Sequence, residues 1–508
     1  MIDNSRTSRR NFLAWGAALA SGAVACSKMD DNSSEAMKNS LIDLTAGDAV
    51  TAMRQGDITA EAYASALLER CEAGRHLNAF ISFAPERVLE AARAADVKRV
   101  SSAILPPLHG LPIPVKDSVN TKDYPTTGGT TALKDFYPAE NAALVAKLLD
   151  AGAIVMGKTN IHELSFGWTS NNQAFGAVHN PYDTSRIPGG SSGGTAAAIA
   201  ARMAPIGIAE DTQGSIRVPA AMCGIVGFRP TQNRYPNQGV IPITPLFDQV
   251  GPHTRTVADL ALFDHALTGE PLVTGSTPLQ GLRLGVPRQY FYSMLDTEVA
   301  RVTNDALKKL SDAGAVLVEA DVPELGRLIS LTTAQVQSYH VKLMLARYLE
   351  EFDTGVTFDE LMEQASPDIK AAFALYVLGG ERTPTQEEFI AARDEHLPAL
   401  RKTLDDYFRD NDLAAIVFPA SQISAPPIGD DTETTLNGKT VPFEAVISRN
   451  ISPGSTGGLP GIIVPADLNR QGLPVCLELD GPAGSDRALL GIGWAVETVL
   501  GHLPPPTI

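Results

Sequence analysis

Three segments of the chain carry residues that can do chemistry. Ser191 sits in Pro188-Gly189-Gly190-Ser191-Ser192-Gly193-Gly194-Thr195, just ahead of an alanine-rich run. Ser215 sits in Asp211-Thr212-Gln213-Gly214-Ser215-Ile216-Arg217, followed by Val218-Pro219-Ala220-Ala221. Lys116 closes the apolar run Leu111-Pro112-Ile113-Pro114-Val115 and precedes Asp117. A serine hydroxyl is a weak nucleophile until a base takes its proton. Lysine is such a base only when neutral, and burial pulls its pKa down from the free value of about 10.4. Glycines around a serine let backbone N–H groups approach a ligand closely, as a developing oxyanion requires. Each piece also has a plainer reading. A Gly/Ser loop is a flexible turn in most proteins, and a lysine ending a strand pairs with Asp117 or another carboxylate. Gly189-Gly190-Ser191-Ser192-Gly193 even fits the nucleophile elbow of the α/β-hydrolases. That elbow needs a strand directly before its serine, whereas Asn180-Pro181-Tyr182-Asp183-Thr184-Ser185-Arg186 is a row of turn formers.

Taken together, the segments resemble the amidase signature family. The resemblance rests on Pro114-Val115-Lys116-Asp117, on the loop Gly189–Gly194, and on Asp211–Arg217 with Pro219-Ala220 and Cys223-Gly224-Ile225-Val226-Gly227-Phe228-Arg229-Pro230. It runs from about residue 41 to the C-terminus. It implies that Ser215 is the nucleophile of an acyl-enzyme mechanism, Lys116 its base, and Ser191 a bridging serine that relays the proton after a cis peptide bond. It further implies an oxyanion hole of the backbone N–H groups of Thr212, Gln213, Gly214 and Ser215. Asp211 and Arg217 would support the loop, and Ser192 would orient it or touch substrate. Gln213 departs from the pattern, because glycine is usual there. Within the family, Arg234-Tyr235-Pro236, Gly239-Val240-Ile241-Pro242-Ile243-Thr244-Pro245 with Asp248, Gly429-Asp430-Asp431, Arg449-Asn450 with Pro453-Gly454, and Leu479–Arg487 are similar to mandelamide and indoleacetamide hydrolases. The small-molecule substrate so implied is a primary arylacetamide; an anilide or carbamate would use the same triad. Phe166 and Trp168 are candidates for an aromatic pocket, or for core.

The elements that must hold these residues read as α/β. Leu41–Glu72 has helical spacing with Thr59 as N-cap, and Ala91–Val97 is helical too. Leu111–Asp117 is a buried strand with a polar tip, and Asn141–Ala151 a helix leading into a strand over Ala153–Gly157. Ala196–Met203 is a helix. Leu282–Val286, Val316–Val318, Ala414–Pro419, Gly461–Pro465 and Val475–Leu479 are strands, the last two as neighbours. Glu298–Ala313 and Ala488–Leu500 are helices. Residues 324–410 are helical at long range, an insertion or cap. No Pro/Gly/Ser linker interrupts the chain after residue 45. The expected fold is therefore one large α/β domain, 41–508, with a mixed central sheet covered by helices.

The chain's ends and composition bound the rest. Ser8-Arg9-Arg10-Asn11-Phe12-Leu13 is a twin-arginine pattern, and the apolar stretch to Ala25 is short of the roughly 20 residues that span a membrane. Residues 1–25 thus read as an export signal to the periplasm. Cys26-Ser27 resembles a lipoprotein cleavage site, which makes Cys26 a candidate lipid anchor and the sole contact with a membrane; residues 26–40 are a tether. The formal net charge of -17 over 508 residues excludes a phosphate-binding surface for nucleic acid. Cys71, Cys223 and Cys476 are too scattered for a disulfide framework, and His162 and His179 stand outside any metal-ligand spacing. No cofactor and no metal is implied, and a homodimer is compatible with the sequence. A tRNA-dependent amidase subunit shares the signature, but the export signal opposes it. A binding lipoprotein has no need of the three candidate residues, and a β-lactamase-type enzyme needs Ser-x-x-Lys, which the chain lacks.

Overall fold

A computed structural model of the chain describes residues 40–429 and 431–508. The export signal, Cys26, nearly all of the tether and Asp430 lie outside the described residues. The strands are β1 (Phe80–Phe83), β2 (Pro112–Lys116), β3 (Ile154–Thr159), β4 (Ile206–Asp211), β5 (Val226–Arg229), β6 (Gln249–Thr254), β7 (Arg283–Gly285), β8 (Val316–Val318), β9 (Ala415–Pro419), β10 (Glu433–Leu436), β11 (Lys439–Pro442), β12 (Gly461–Leu468) and β13 (Pro474–Asp480). Eleven of them form one sheet in the order β1-β3-β2-β4-β6-β5-β12-β13-β9-β7-β8. The sheet is mixed: β2 runs parallel to β3 and β4, and β7 parallel to β8 and β9, while the other neighbours are antiparallel. Strands β2 and β4 are buried along their whole length, as parallel strands covered on both faces are. The expected single α/β domain with a mixed, helix-covered sheet is the fold that forms.

Register explains how distant segments meet. Val115 of β2 lies opposite Ile208 of β4, so Lys116 and the acidic end of β4, Glu210-Asp211, emerge together at the carboxyl ends of two parallel neighbours. Ligands of open α/β sheets gather at that edge. Directly after β4 the chain turns through residues 212–216 into the helix Arg217–Cys223. The helix Gly193–Ala200 packs underneath, and its small residues permit the close approach: a Cβ on Gly194 would stand 2.4 Å from the Asn160 carbonyl oxygen and 2.5 Å from that of Ala79. Thr195 ties this helix to the sheet, donating to the Ile208 carbonyl at 3.1 Å.

Some elements differ from the sequence reading. The helix expected over Leu41–Glu72 is two helices, Ala46–Gln55 and Ala60–Ala73. Gly56, at φ 81°, caps the first in the left-handed conformation that favours glycine, and Thr59 caps the second. Most of residues 324–410 lie in helices, led by Leu325–Glu351. Their own small core includes Leu345, Tyr348, Leu361 and Phe373, and it closes on Leu164 and Ile241 beside the carboxyl edge of the sheet. Strands β1, β4, β5 and β6 and the hairpin β10–β11 add to the strands expected.

Candidate active site

Lys116 and Ser191 are completely buried, and Ser215 is 5% exposed. The Lys116 amine donates to Ser191 Oγ at 2.7 Å. It also donates to Glu210 Oε2 at 2.8 Å and reaches the Glu210 carbonyl at 3.4 Å. The structure therefore gives the lysine both of the roles its sequence left open: a serine neighbour and an ion pair. The carboxylate is Glu210 rather than Asp117, which turns to Lys158 at 3.4 Å and accepts from the N–H groups of Thr127 and Gly129. Burial lowers the Lys116 pKa, and the Glu210 carboxylate works against that shift.

The serine loop is fixed by its backbone. The Gly190–Ser191 peptide bond is cis. Ser191 O accepts from the His162 N–H at 3.1 Å and from Ser170 Oγ at 3.2 Å. Ser192 N–H donates to Ser215 O at 3.3 Å, which binds the two serine loops to each other. Ser192 Oγ donates to the Glu210 carbonyl at 3.2 Å and lies 3.4 Å from the Glu210 N–H. Its hydroxyl is thus bonded to the backbone of β4.

The loop around Ser215 is held from below by charge. Asp211 Oδ1 accepts from the Gly214 N–H at 2.8 Å, and Oδ2 from the Ile216 N–H at 3.1 Å. Arg217 Nε donates to Asp211 Oδ2 at 3.1 Å, and its guanidinium also reaches Glu478 and Ser455. Burial pushes the Asp211 carboxyl up, but Arg217 beside it prevails and holds it at about 2. The Gly214 N–H is thus committed to Asp211. Among the described residues, none accepts from the N–H groups of Thr212, Gln213 or Ser215. Gln213 Nε2 donates to Thr456 Oγ1 of the short helix Ser452–Gly457 at 3.3 Å, while its Oε1 has no partner among the described residues.

Trp168 is half-buried, and its indole N–H donates to the Gln213 carbonyl at 2.9 Å, so its ring is fastened to the Ser215 loop. Phe166 lies farther into the cap, its ring 4.8 Å from that of Phe373. The structure thus brings Lys116, Ser191, Ser192, Asp211, Thr212, Gln213, Ser215, Arg217 and Trp168 together, while Phe166 packs against the cluster that holds Phe373. Glu210 and Asp248 join this cluster as well. Thr212 Oγ1 donates to Asp248 Oδ1 at 2.6 Å, and burial, reinforced by the Glu210 charge, pushes the Asp248 carboxyl up to about 7.

Residues 62–490 match the Amidase family. The chain belongs to the amidase signature family. It is an amidase, a hydrolase of C–N bonds other than peptide bonds, as its relatives are named. It is similar to an indoleacetamide hydrolase of Agrobacterium vitis, 38% identical over 90% of this chain and 97% of the relative. It is also 36% identical to a mandelamide hydrolase of Pseudomonas putida, over 92% of this chain and 93% of that one. A crystal structure of an amidase superposes with a TM-score of 0.80 at 30% identity, covering 90% of this chain and 100% of the other. The amidase fold places the serine loops, the lysine and the Asp211–Arg217 pair at one edge of its sheet.

Proposed function

We propose that this amidase hydrolyses primary arylacetamides to the carboxylic acid and ammonia through an acyl-enzyme on Ser215. The observation that carries the mechanism is the Lys116 amine on Ser191 Oγ at 2.7 Å, in a loop bonded to the backbone of Ser215 itself. As Ser215 Oγ attacks the carbonyl carbon, its proton passes to Ser191 Oγ, and the Ser191 proton passes to the neutral amine of Lys116. The carbonyl π pair moves onto oxygen, where the N–H groups of Thr212, Gln213 and Ser215 receive it; Gly214 leaves the expected set because its N–H serves Asp211. Donors of this kind are each worth about 10²–10³ in rate. Collapse of the oxyanion expels ammonia, which takes its proton back along the same path, and water then releases the acid.

The acyl group is supported by the relatives, which are named for indoleacetamide and mandelamide, and by the Trp168 ring held against the Ser215 loop. The test is ammonia release from phenylacetamide, mandelamide and indole-3-acetamide beside an anilide and an aryl carbamate. We expect turnover of the three primary amides at higher kcat/KM than the other two. Preference for the anilide or carbamate would overturn the substrate reading and leave the triad standing.

The twin-arginine pattern further supports export to the periplasm. Arg9→Lys together with Arg10→Lys is expected to retain the enzyme in the cytoplasm in cell fractionation; unchanged export would overturn this reading. Cys26→Ala then separates a lipid-anchored form, which leaves the membrane fraction, from a free one, which does not move.

A further inference from the structure

The carboxylate beside Lys116 has no part in the triad, yet its surroundings are built for it. Glu210 is 2% exposed. Its Oε2 accepts from Lys116 at 2.8 Å, from Ser165 Oγ at 3.0 Å and from Ser118 Oγ at 3.2 Å, while Oε1 faces Thr212 Oγ1 at 3.3 Å. Two hydroxyl groups from two separate segments, Ser165 and Ser118, thus converge on one carboxylate, while the Thr212 proton goes to Asp248. Among the described residues the lysine has three acceptors, Ser191 Oγ, Glu210 Oε2 and the Glu210 carbonyl. They match the three N–H bonds of an ammonium. When the amine is neutral, two N–H bonds stay on Glu210 and the lone pair is left facing Ser191 Oγ. The proton can therefore arrive without the lysine moving.

We propose that Glu210 is a positioning residue for the base: it aims the Lys116 amine at Ser191 and stabilises the ammonium formed when the serine proton arrives. This rests on the reading of Ser215, Ser191 and Lys116 as nucleophile, relay and base. The step balances within those residues. The Ser215 O–H bond breaks as the Ser215–carbon bond forms, one proton enters Ser191 Oγ as another leaves it, and Lys116 gains one N–H bond and a positive charge. Glu210 exchanges no proton; it supplies the fixed negative charge that the new cation meets. Preorganised charge of this kind contributes only where charge develops in the transition state.

The same contact has a cost in pH. A negative charge 2.8 Å from the amine favours its protonated form, so more of the free enzyme is inactive at low pH. The other groups that bear on Lys116 are Asp211 and Asp248 on the acidic side, and His162 and His253, whose own protonation it opposes. Asp117 and Lys158 form a separate ion pair next along the strands. Asp248 is the one that responds to Glu210, since the Glu210 charge helps to keep it protonated.

The test is the pH profile of kcat/KM for phenylacetamide in Glu210→Gln, which keeps the size and removes the charge. The acid limb is expected to move about 1–3 units to lower pH, while the plateau falls about tenfold or more. Because Asp248 ionises more readily once Glu210 is neutral, the double variant Glu210→Gln/Asp248→Asn is expected to show the larger displacement. Should Glu210→Gln fail to fold, Glu210→Asp keeps the charge and withdraws it, and a limb near the wild-type pH with a lowered plateau is expected. An acid limb that stays at the wild-type pH in Glu210→Gln, whatever its activity, overturns the proposal and leaves Glu210 structural. Lys116→Ala distinguishes the deeper failure: full activity there would overturn the triad reading itself.

Discussion

Replacing Ser215 with alanine is expected to remove ammonia release from phenylacetamide, lowering kcat by about 10⁴-fold or more while leaving the fold intact. The magnitude follows from what the residue is asked to do. Removing the nucleophile of a serine hydrolase removes the covalent path, and what survives comes from the oxyanion donors and binding alone. Ser215 stands in a turn whose backbone is fixed by Asp211 and by Ser192, and alanine fits wherever serine does, so the loss is chemical. Lys116→Ala is expected to cost nearly as much, and the double variant little more than either alone, because groups that act as one unit are strongly non-additive. Hydroxylamine gives an independent check. It intercepts an acyl-enzyme to form the hydroxamate, so hydroxamate from the wild type and none from Ser215→Ala is the expected pair. A variant that keeps a tenth of wild-type turnover would sink the assignment of the nucleophile.

The candidate site was largely legible in the sequence, because its key residues lie in compact motifs. Lys116, Ser191 and Ser215 each sit among glycines and prolines whose purpose is local, so residue type and order suffice to find them. Glu210 escaped for a different reason. It precedes the signature by one residue and closes Ile206-Gly207-Ile208-Ala209, a strand too short and too glycine-broken to stand out. Its meaning depends on the parallel pairing of β4 with β2, a contact between segments roughly 90 residues apart that no local pattern records. The Gly214 N–H is a finer case. The family resemblance implies a place for it in the oxyanion hole; only geometry shows that Asp211 claims it. The hairpin, by contrast, carries a local signal. Asn437-Gly438 lies between two short alternating runs, and both residues have positive φ, 49° and 79°. That dipeptide is the strongest short-range sign of a two-residue hairpin, here joining β10 to β11. The break at Gly56 is likewise written in Gly-Asp-Ile-Thr, a helix stop followed by a helix start.

Arg217 carries the largest expected effect on stability. It is completely buried and is shared by Asp211, Glu478, Ser455 and the Ile451 carbonyl. Asp480 lies in the same cluster, and Arg229 is the second cation. Arg217→Met keeps much of the volume and leaves the three carboxylates with Arg229 alone. Breaking a buried ion pair from one side costs about 3–5 kcal/mol, against a total stability of about 5–15 kcal/mol for a folded protein. The pH dependence identifies the cause. Asp211 is held at about 2 in the folded protein, below its unfolded value of about 3.9. Its contribution is therefore complete above pH 4 and is lost as pH falls through 2. The stability gap between wild type and Arg217→Met is accordingly expected to be large near neutral pH and to shrink at pH 3, measured as urea midpoints at the two values. A gap that does not change with pH would assign the loss to packing. The activity of Arg217→Met should fall as well, because the carboxylate that Arg217 holds also fixes the Gly214 and Ile216 N–H groups on either side of Ser215.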